Sequence, residues 1–521
     1  MRIGVDVGGT NTDAVLMDGS QLLASCKEPT TPDVSSGIVN AVTKILAAAS
    51  ISPASIKCVM IGTTHFTNAF VERKHLMQVG VVRICLPAAN GIPPLVDWPE
   101  DLRSIIGNNI AVIRGGYQFD GRLNTELDIE ALKQCAKNFC ANGITTVAIT
   151  GLFSTVKNDM EIEAAKIIRQ EMGEVSISLS NEVGRAGILE RENAAIMNAC
   201  LANLSTSVVR AFRDALKSLD IEAPFFISQN DGTLLTASHV EKYPVLTFAS
   251  GPTNSMRGAA YLSGVKEAIV ADIGGTTTDI GMLINGFPRE SSVTVDIGGV
   301  RTNFRMPDVF ALGLGGGTII ESKDGNIKIG PQSVGYKLTE EALVFGGKTL
   351  TTTDITVAAG KADIGDRKLL DKLNVNVPII TDRIHQMIED GIDRMKTNTG
   401  EVPLILVGGG SILIHQQIKG ASETLIPENA GVANAIGASI AQVAAELDTI
   451  VHYLDNSRDE ILDAARQKAI KKAIALGAIE QSIEIIDIEE TPLAYAPDGA
   501  VRLRIKAAGS LDIDSINNTS A

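Results

Sequence analysis

A basic surface is what this chain most plainly lacks. Its 46 lysines and arginines are outnumbered by 61 aspartates and glutamates, for a net charge of −15, and they do not gather into the patch that nucleic acid or an anionic membrane demands. The one basic run, "RQKAIKKA" around Lys468 to Lys472, spaces its charges as a solvated helix face does. Paired cysteines are lacking too. Cys26, Cys58, Cys85, Cys135, Cys140 and Cys200 are scattered through apolar stretches with no CxxC, which suits buried, reduced thiols. The six histidines are dispersed, with no HxH or HxxxH spacing, so no metal cluster or nucleophile–base pair is evident. There is no GxxxxGK(S/T) and no GxGxxG opening a helix, which argues against a P-loop and a Rossmann site. No basic segment followed by an apolar stretch opens the chain, and no apolar run approaches the length of a membrane span. The expectation is a cytoplasmic protein starting at Met1, with neither nucleic acid nor membrane as partner.

What is present is one short motif written twice. "VDVGGTNTD" occupies residues 5–13 and "ADIGGTTTD" residues 271–279. Asp6, Gly8, Gly9, Thr10, Thr12 and Asp13 recur at the same offsets as Asp272, Gly274, Gly275, Thr276, Thr278 and Asp279, with Asn11 and Thr277 between them. Apolar alternation on both sides predicts a hairpin with a Gly-Gly-Thr turn. A turn without Cβ atoms lets backbone N–H groups approach an anion, and the threonine hydroxyls offer further donors. Asp6 and Asp272, at the ends of apolar strands, suit hydrated Mg²⁺, which takes one or two carboxylates plus water and phosphate oxygens. Two such hairpins facing each other would grip a triphosphate from both sides. A single copy reads equally well as a tight turn; two copies matched at six offsets favour function. A third near-copy, "VDIGGVRTN" from Val295 to Asn303, has lost the first threonine and the last aspartate and reads as an ordinary turn or neighbouring loop. Of two other glycine clusters, "LVGGGSILI", containing Gly408, Gly409, Gly410 and Ser411, follows an apolar strand and suits close approach of backbone to a flat base. "LGLGGGTII", Gly313 to Gly317, leaves function and bland loop open.

At 521 residues the chain exceeds one ordinary hydrophobic core. Strands alternate with helices, which predicts α/β layers. A helical stretch from Glu182 to Leu219 is expected to bridge two lobes, and "VPLILVGGGSILIHQQI" reads as strand, turn and helix. The order of elements in the second half loosely repeats the first, a duplication at domain scale. From about Ser457 a helix and two strands form a small α+β appendage, and the last residues are expected to fray.

The paired hairpins and the late "VGGGS" resemble the phosphate-1, phosphate-2 and adenosine motifs of the actin, sugar-kinase and heat-shock-chaperone ATPase superfamily. "GTTHFTNAFVERK", "SQNDGTL", "SGPTNSMRGA", "DIGGTTTDIGML", "GLGGGTI", "GPQSVG" and "IPENAGVANAIGA" then appear in the order typical of the hydantoinase A/5-oxoprolinase family, which this chain resembles along nearly its whole length. The resemblance implies a two-lobed, duplicated actin-like ATPase of ribonuclease H-like fold. It puts a first lobe at residues 1–190, a second at 191–445 and the appendage at 446–521. It also implies ATP and Mg²⁺ as cofactors, with Asp6, Asp272 and Asp279 catalytic and Asp6 and Asp272 at the metal. Gly8 to Thr12, Gly274 to Thr278 and Gly408 to Ser411 would bind nucleotide. The activity implied is ATP-dependent ring opening of a cyclic amide such as a hydantoin or 5-oxoproline, by phosphorylation of the amide oxygen, with a hydantoinase B-like second subunit. Homo-oligomerisation is left open, and a carboxylase subunit, a small-molecule kinase or an ATP-switched activator are alternatives on the same fold. The chain departs from the family after "GPQSVG", where "YKLTEEALVFGG" replaces a Pro- and Cys-containing stretch, and at "LERENAA". His65, Asn68, Glu72, Arg73, Glu190, Arg191 and Asn193 are candidates for the substrate side, against the plainer reading of solvated helix charges and, for His65, a capping or packing residue.

Overall fold

The computed structural model describes residues 1–31, 33–291, 294–323, 326–453, 457–493 and 500–513. The closing residues expected to fray therefore lie outside the described residues. Ile3, Val5 and Val7 open a strand, Arg2–Val7, that is buried on both faces, because Gly4 admits a helix directly against it: a Cβ there would overlap Ala435 O. This strand lies at the centre of a six-stranded sheet. On one side it pairs antiparallel with Asn11–Asp18, which pairs with Gln21–Pro29; on the other it pairs parallel with Cys58–Thr63, then Phe225–Ser228, then the short edge strand Leu234–Thr236. The second hairpin repeats the plan. Ala268–Ile273 lies between Thr278–Ile284, antiparallel, and Val402–Val407, parallel, which leads on to Ala421–Leu425. Val309–Leu312 and Phe287–Pro288 flank the far side of Thr278–Ile284. Two sheets of the same strand order, each opening with a glycine hairpin, establish the duplicated two-lobed architecture expected from the sequence.

Strand pairing does not follow a division at residues 190 and 191. The first sheet takes its fifth strand from Phe225–Ser228, because a separate α/β unit is inserted before it. That unit is a parallel sheet ordered Ser176–Leu179, Thr146–Gly151, Gly80–Leu86, Ile110–Arg114, with helices Ile129–Ala141 and Asp159–Met172 closing its core. The stretch expected to be a helical bridge between lobes is three helices, Ser180–Val183, Ile188–Cys200 and Ala202–Ser218, interrupted at Gly184, Gly187 and Leu201. It returns the chain from the inserted unit to the first sheet: Ala202–Ser218 packs beside helix Val34–Ala49, and Ile188–Cys200 lies against Thr146–Gly151 of the inserted sheet and Val300–Thr302. The helix expected after "VGGG" is one short 3-10 turn, Gly409–Leu413.

The appendage begins earlier than residue 446. Val443–Val451 joins Val501–Gly509 and Glu484–Pro492 in an antiparallel sheet backed by helix Arg458–Ala475, whose basic residues Lys468, Lys471 and Lys472 are exposed as expected. Val443, Ala445, Leu503 and Ile505 share one core with Cys58, Met60 and Phe226 of the first sheet. Between the lobes, helices Ser250–Ser263 and Ala433–Ser439 cross in direct contact, since a Cβ at Gly258 would overlap Ala433 O and one at Gly437 would overlap Asn254 O. The six cysteines are all free, and no helix of the described residues is long and apolar enough to cross a membrane.

Candidate active site

Each hairpin closes with the same bond, Gly8 N to Asn11 O at 3.0 Å and Gly274 N to Thr277 O at 2.9 Å. In each the two aspartates stand opposite one another, Asp6 with Asp13 and Asp272 with Asp279. The turns face each other across a cavity of about 350 Å³. Gly8, Gly9, Thr10 and Asn11 line one wall, Gly274 to Thr277 the other, and Gly408 to Gly410 a third. The structure thus brings three separate glycine segments to one cleft. Glycine is also required under the leading aspartates: a Cβ at Gly62 would overlap Asp6 Oδ1, and one at Gly408, whose φ is +83°, would overlap Asp272 Oδ1.

Carboxylates dominate the electrostatics. Asp6 accepts from Asn254 Nδ2 at 3.2 Å and Asn434 Nδ2 at 3.0 Å, and the same Asn434 amide reaches Asp13 at 2.8 Å. Asp272 accepts from the hydroxyl of Ser255. Burial pushes Asp6 up to about 6 against the pull of the Asn254 amide, with the charge of Asp13 adding to the rise. Asp272 is raised chiefly by burial. Asp279, half-buried, is pushed up to about 7 by loss of water and by the charge of Asp272 beside it. Carboxylates held by neutral donors in a closed setting are poised for a cation, and Asp6 and Asp272 fit Mg²⁺ in that sense. Among the described residues no three His, Cys, Asp or Glu side chains converge on a metal position.

Several predicted residues stand elsewhere. Thr12 and Thr278 are fully buried, because side chains alternate along a strand and theirs point away from the cleft. Thr278 Oγ1 donates to Leu314 O at 2.6 Å, and Thr12 Oγ1 lies 3.4 Å from Thr30 Oγ1 beneath helix Val34–Ala49. Neither residue lines the cavity. Ser411, in the 3-10 turn, is also outside the cavity lining. The cluster from Gly313 to Gly317 props the second hairpin from behind, with Gly316 N donating to Gly274 O at 2.9 Å and Gly317 N to Gly275 O at 2.7 Å.

The substrate-side candidates bond to the protein itself and none lines the hairpin cleft. Arg191 is 2 % exposed and donates to Ser180 Oγ at 2.9 Å and Gly151 O at 2.6 Å. Asn193 joins Trp98 Nε1, at 2.7 Å, to Arg301 O, at 2.9 Å. Arg73 ties Asp101, at 2.7 Å, to Gly298 O, at 2.8 Å, in the hairpin of the third near-copy, Val295–Ile297 with Val300–Thr302. Glu72 is exposed beside Lys74, and Glu190 lies 3.7 Å from Arg301. Asn68 Nδ2 donates to Thr64 Oγ1 at 3.2 Å. His65 meets Thr63 Oγ1 at 2.6 Å and the edge of Phe212, which makes it the packing residue of the plainer reading. Residues that sequence reasoning missed are Asn254, Ser255 and Asn434, which touch the aspartates, and Lys27, 2.6 Å from Asp13. The first three fall inside "SGPTNSMRGA" and "IPENAGVANAIGA", and membership of those segments is the signal that could have found them. A larger cavity of about 890 Å³ opens between the inserted unit and the appendage, but several of its charges are paired within its own walls, Lys506 to Asp231 at 2.7 Å and Arg502 to Asp448, and no glycine hairpin lines it.

Facing hairpins in a duplicated architecture define a two-lobed fold of the actin-like ATPase type. Solved structures agree on the fold: an ATP-dependent caprolactamase from Pseudomonas jessenii superposes with a TM-score of 0.77 over 98% of this chain and 87% of that one, at 20% identity. An acetone carboxylase gives 0.70 over 98% and 88%, at 17% identity. Within that class the chain belongs to the hydantoinase/oxoprolinase family: its N-terminal-region model matches residues 2–172 and the hydantoinase/oxoprolinase model residues 191–371. Relatives include the acetophenone carboxylase gamma subunit of Aromatoleum aromaticum, 27% identical over 69% of this chain and 53% of that protein. The caprolactamase subunit alpha of Pseudomonas jessenii is 26% identical over 78% and 61%. The chain therefore spans between half and two thirds of the length of those two proteins.

Proposed function

We propose that this chain is the ATP-handling subunit of an enzyme that opens a cyclic amide. An unstrained amide is a poor electrophile, and phosphorylation of its oxygen gives an imidate with a good leaving group that water can then attack. In this reading the N–H groups of Gly8 to Asn11 and Gly274 to Thr277 cradle the phosphates, with the hydroxyls of Thr10 and Thr276 beside them. Asp6 and Asp272 hold Mg²⁺, which when bound neutralises phosphate charge, and Gly408 to Gly410 receive the base. Asp279 takes or gives a proton near neutral pH. The observation that carries the reading is the meeting of both motif copies across one cleft. The family's caprolactamase and 5-oxoprolinase members support a lactam or hydantoin as the acceptor. Two relatives are named as subunits, which supports a second, hydantoinase B-like subunit completing the hydrolysis. Six free thiols support a reducing, cytoplasmic setting.

A second reading has its own support, the likeness to an acetophenone carboxylase subunit: the same cleft would phosphorylate a ketone-derived oxygen or bicarbonate. One experiment separates them. The chain, alone and co-expressed with its genomic neighbours, is assayed for ADP release and products across lactams, hydantoins and small ketones, with and without bicarbonate. Ring-opened product that requires both ATP and the partner is expected. Turnover only with ketone and bicarbonate would transfer the chain to carboxylation, and ring opening by the isolated chain would overturn the need for a partner.

A further inference from the structure

Lys27 stands outside both glycine motifs, yet among the described residues it is the only cation lining the hairpin cleft. It comes from the third strand, Gln21–Pro29, where register sets it opposite Asp13. Its Nζ is 2.6 Å from the Asp13 carboxylate. The two partners differ in one respect that matters: the Lys27 side chain is 38% exposed and Asp13 only 2%. The lysine can leave, whereas the carboxylate cannot. Asp13 would not be orphaned, because Asn434 Nδ2 continues to donate to it at 2.8 Å. The charge of Lys27 also reaches Asp272 of the other lobe, where it opposes the rise caused by burial. Asp13 and Asp272, the two carboxylates that line the cleft, thus share a single ammonium where the polyanion would have to settle.

We propose that Lys27 is a mobile counter-ion: it rests on Asp13 in the empty cleft and moves onto the terminal phosphoryl group when ATP arrives, stabilising the charge that spreads over those oxygens during transfer. This rests on the nucleotide reading of the cleft. No bond to Lys27 forms or breaks; the ammonium exchanges one anionic partner for another. Asp13 holds the lysine out of bulk water until nucleotide competes for it, and Asn434 keeps Asp13 in place afterwards. A free ammonium on a flexible stem suits this better than a fork-shaped guanidinium, since it makes a compact point charge with rotatable donors.

The test uses the full chain with its partner subunit. Binding of ATP and of ADP, each with Mg²⁺, is measured by calorimetry, and ATP cleavage by rapid quench, for the parent, Lys27→Met, Lys27→Arg and Asp13→Asn. Lys27→Met should keep the parent's affinity for ADP, lose its preference for ATP, and cleave ATP about 10²–10³-fold more slowly, the scale of losing one preorganised charge donor. Lys27→Arg should recover part of the rate. Asp13→Asn, which releases the lysine, should favour ATP over ADP more strongly than the parent does. Parental cleavage by Lys27→Met overturns the proposal. If Lys27→Met fails to fold, Asp13→Asn decides: an unchanged preference for ATP over ADP overturns it equally. A parent that binds neither nucleotide would instead sink the reading of the cleft, an outcome distinct from either.

Discussion

The two hairpins share six residues, one turn bond and one register, yet they are not electrostatic equals. Asp13 of the first is met by Lys27 and by Asn434. Asp279, its counterpart in the second, meets the like charge of Asp272 and, chiefly through burial, is pushed up to about 7. Their supports differ as well. Thr30 holds the first turn, its N–H on Thr10 O at 3.0 Å and its hydroxyl on Gly8 O at 2.8 Å, whereas the glycine cluster at Gly316 and Gly317 holds the second. Duplication supplied the same backbone twice, and the neighbouring strands and loops made the copies differ: a lysine-bearing wall faces one behind which burial and the charge of Asp272 raise Asp279.

The largest test of that asymmetry is on turnover. Asp6→Asn and Asp272→Asn should each slow ATP cleavage by about 10²-fold or more, because a carboxylate that positions a metal acts on the transition state. Urea unfolding should show little loss, since each change removes a buried charge. Parental turnover in both variants would remove the aspartates from the site.

Next come the glycines beneath them. Gly62→Ala and Gly408→Ala each push a methyl into an aspartate oxygen, and overpacking of this kind costs about 1–3 kcal/mol. Gly408→Ala should be the worse because its φ of +83° also strains an L-residue. Chemical denaturation measures both: negligible losses would break the parallel between the lobes, and equal losses would remove the extra strain assigned to Gly408.

A smaller effect follows from Asp279. Its folded pKa, about 7, lies above the ordinary carboxyl value of 3.8, so the folded chain binds the extra proton in that window. Stability is then greatest below it and is lost as pH rises from about 4 towards 7, by at most about 1.4 kcal/mol per unit. Asp279→Asn should flatten that slope when unfolding is followed without added metal. An unchanged slope would assign the titration elsewhere. Smallest of all is the change in shape: a non-hydrolysable ATP analogue should reduce the radius of gyration in solution scattering as the walls close on one triphosphate, and a constant radius would mean a cleft already closed.

The hairpins are legible in the sequence because apolar alternation and glycine spacing are local signals, and two copies make them specific. The duplicated sheet order follows from them. The first lobe's extent does not, because Phe225–Ser228 joins a strand it is separated from by the whole inserted unit, and nothing in residues 80–180 announces an insertion. Thr12 and Thr278 are the opposite case, since the alternation that buries them is in plain view: it governs the threonines between the apolar residues as strictly as the apolar residues themselves. Arg191 reads in sequence as a solvated helix charge or a ligand contact; only the inserted unit, packed over it, makes it an internal strut. Lys27 carries no local signal, since only strand register sets it opposite Asp13; Asn434 meets Asp13 across 421 positions of sequence, where no periodicity operates and only its place in "IPENAGVANAIGA" marks it.

The crossing of helices Ser250–Ser263 and Ala433–Ser439 has a mechanical meaning. With backbone against backbone at Gly258 and Gly437, the pair has no room to slide, and what it leaves the lobes is rotation about a rivet. The side chains beside that rivet, Asn254 on Asp6, Ser255 on Asp272 and Asn434 on both Asp6 and Asp13, are the ones that hold the carboxylates of the cleft. Any swing of one lobe is therefore felt first, and with least slack, at the atoms that would meet metal and phosphate. A scissor joint that carries its cutting edge next to the pin gives up reach for force, and this molecule has placed its most exacting contacts at that spot.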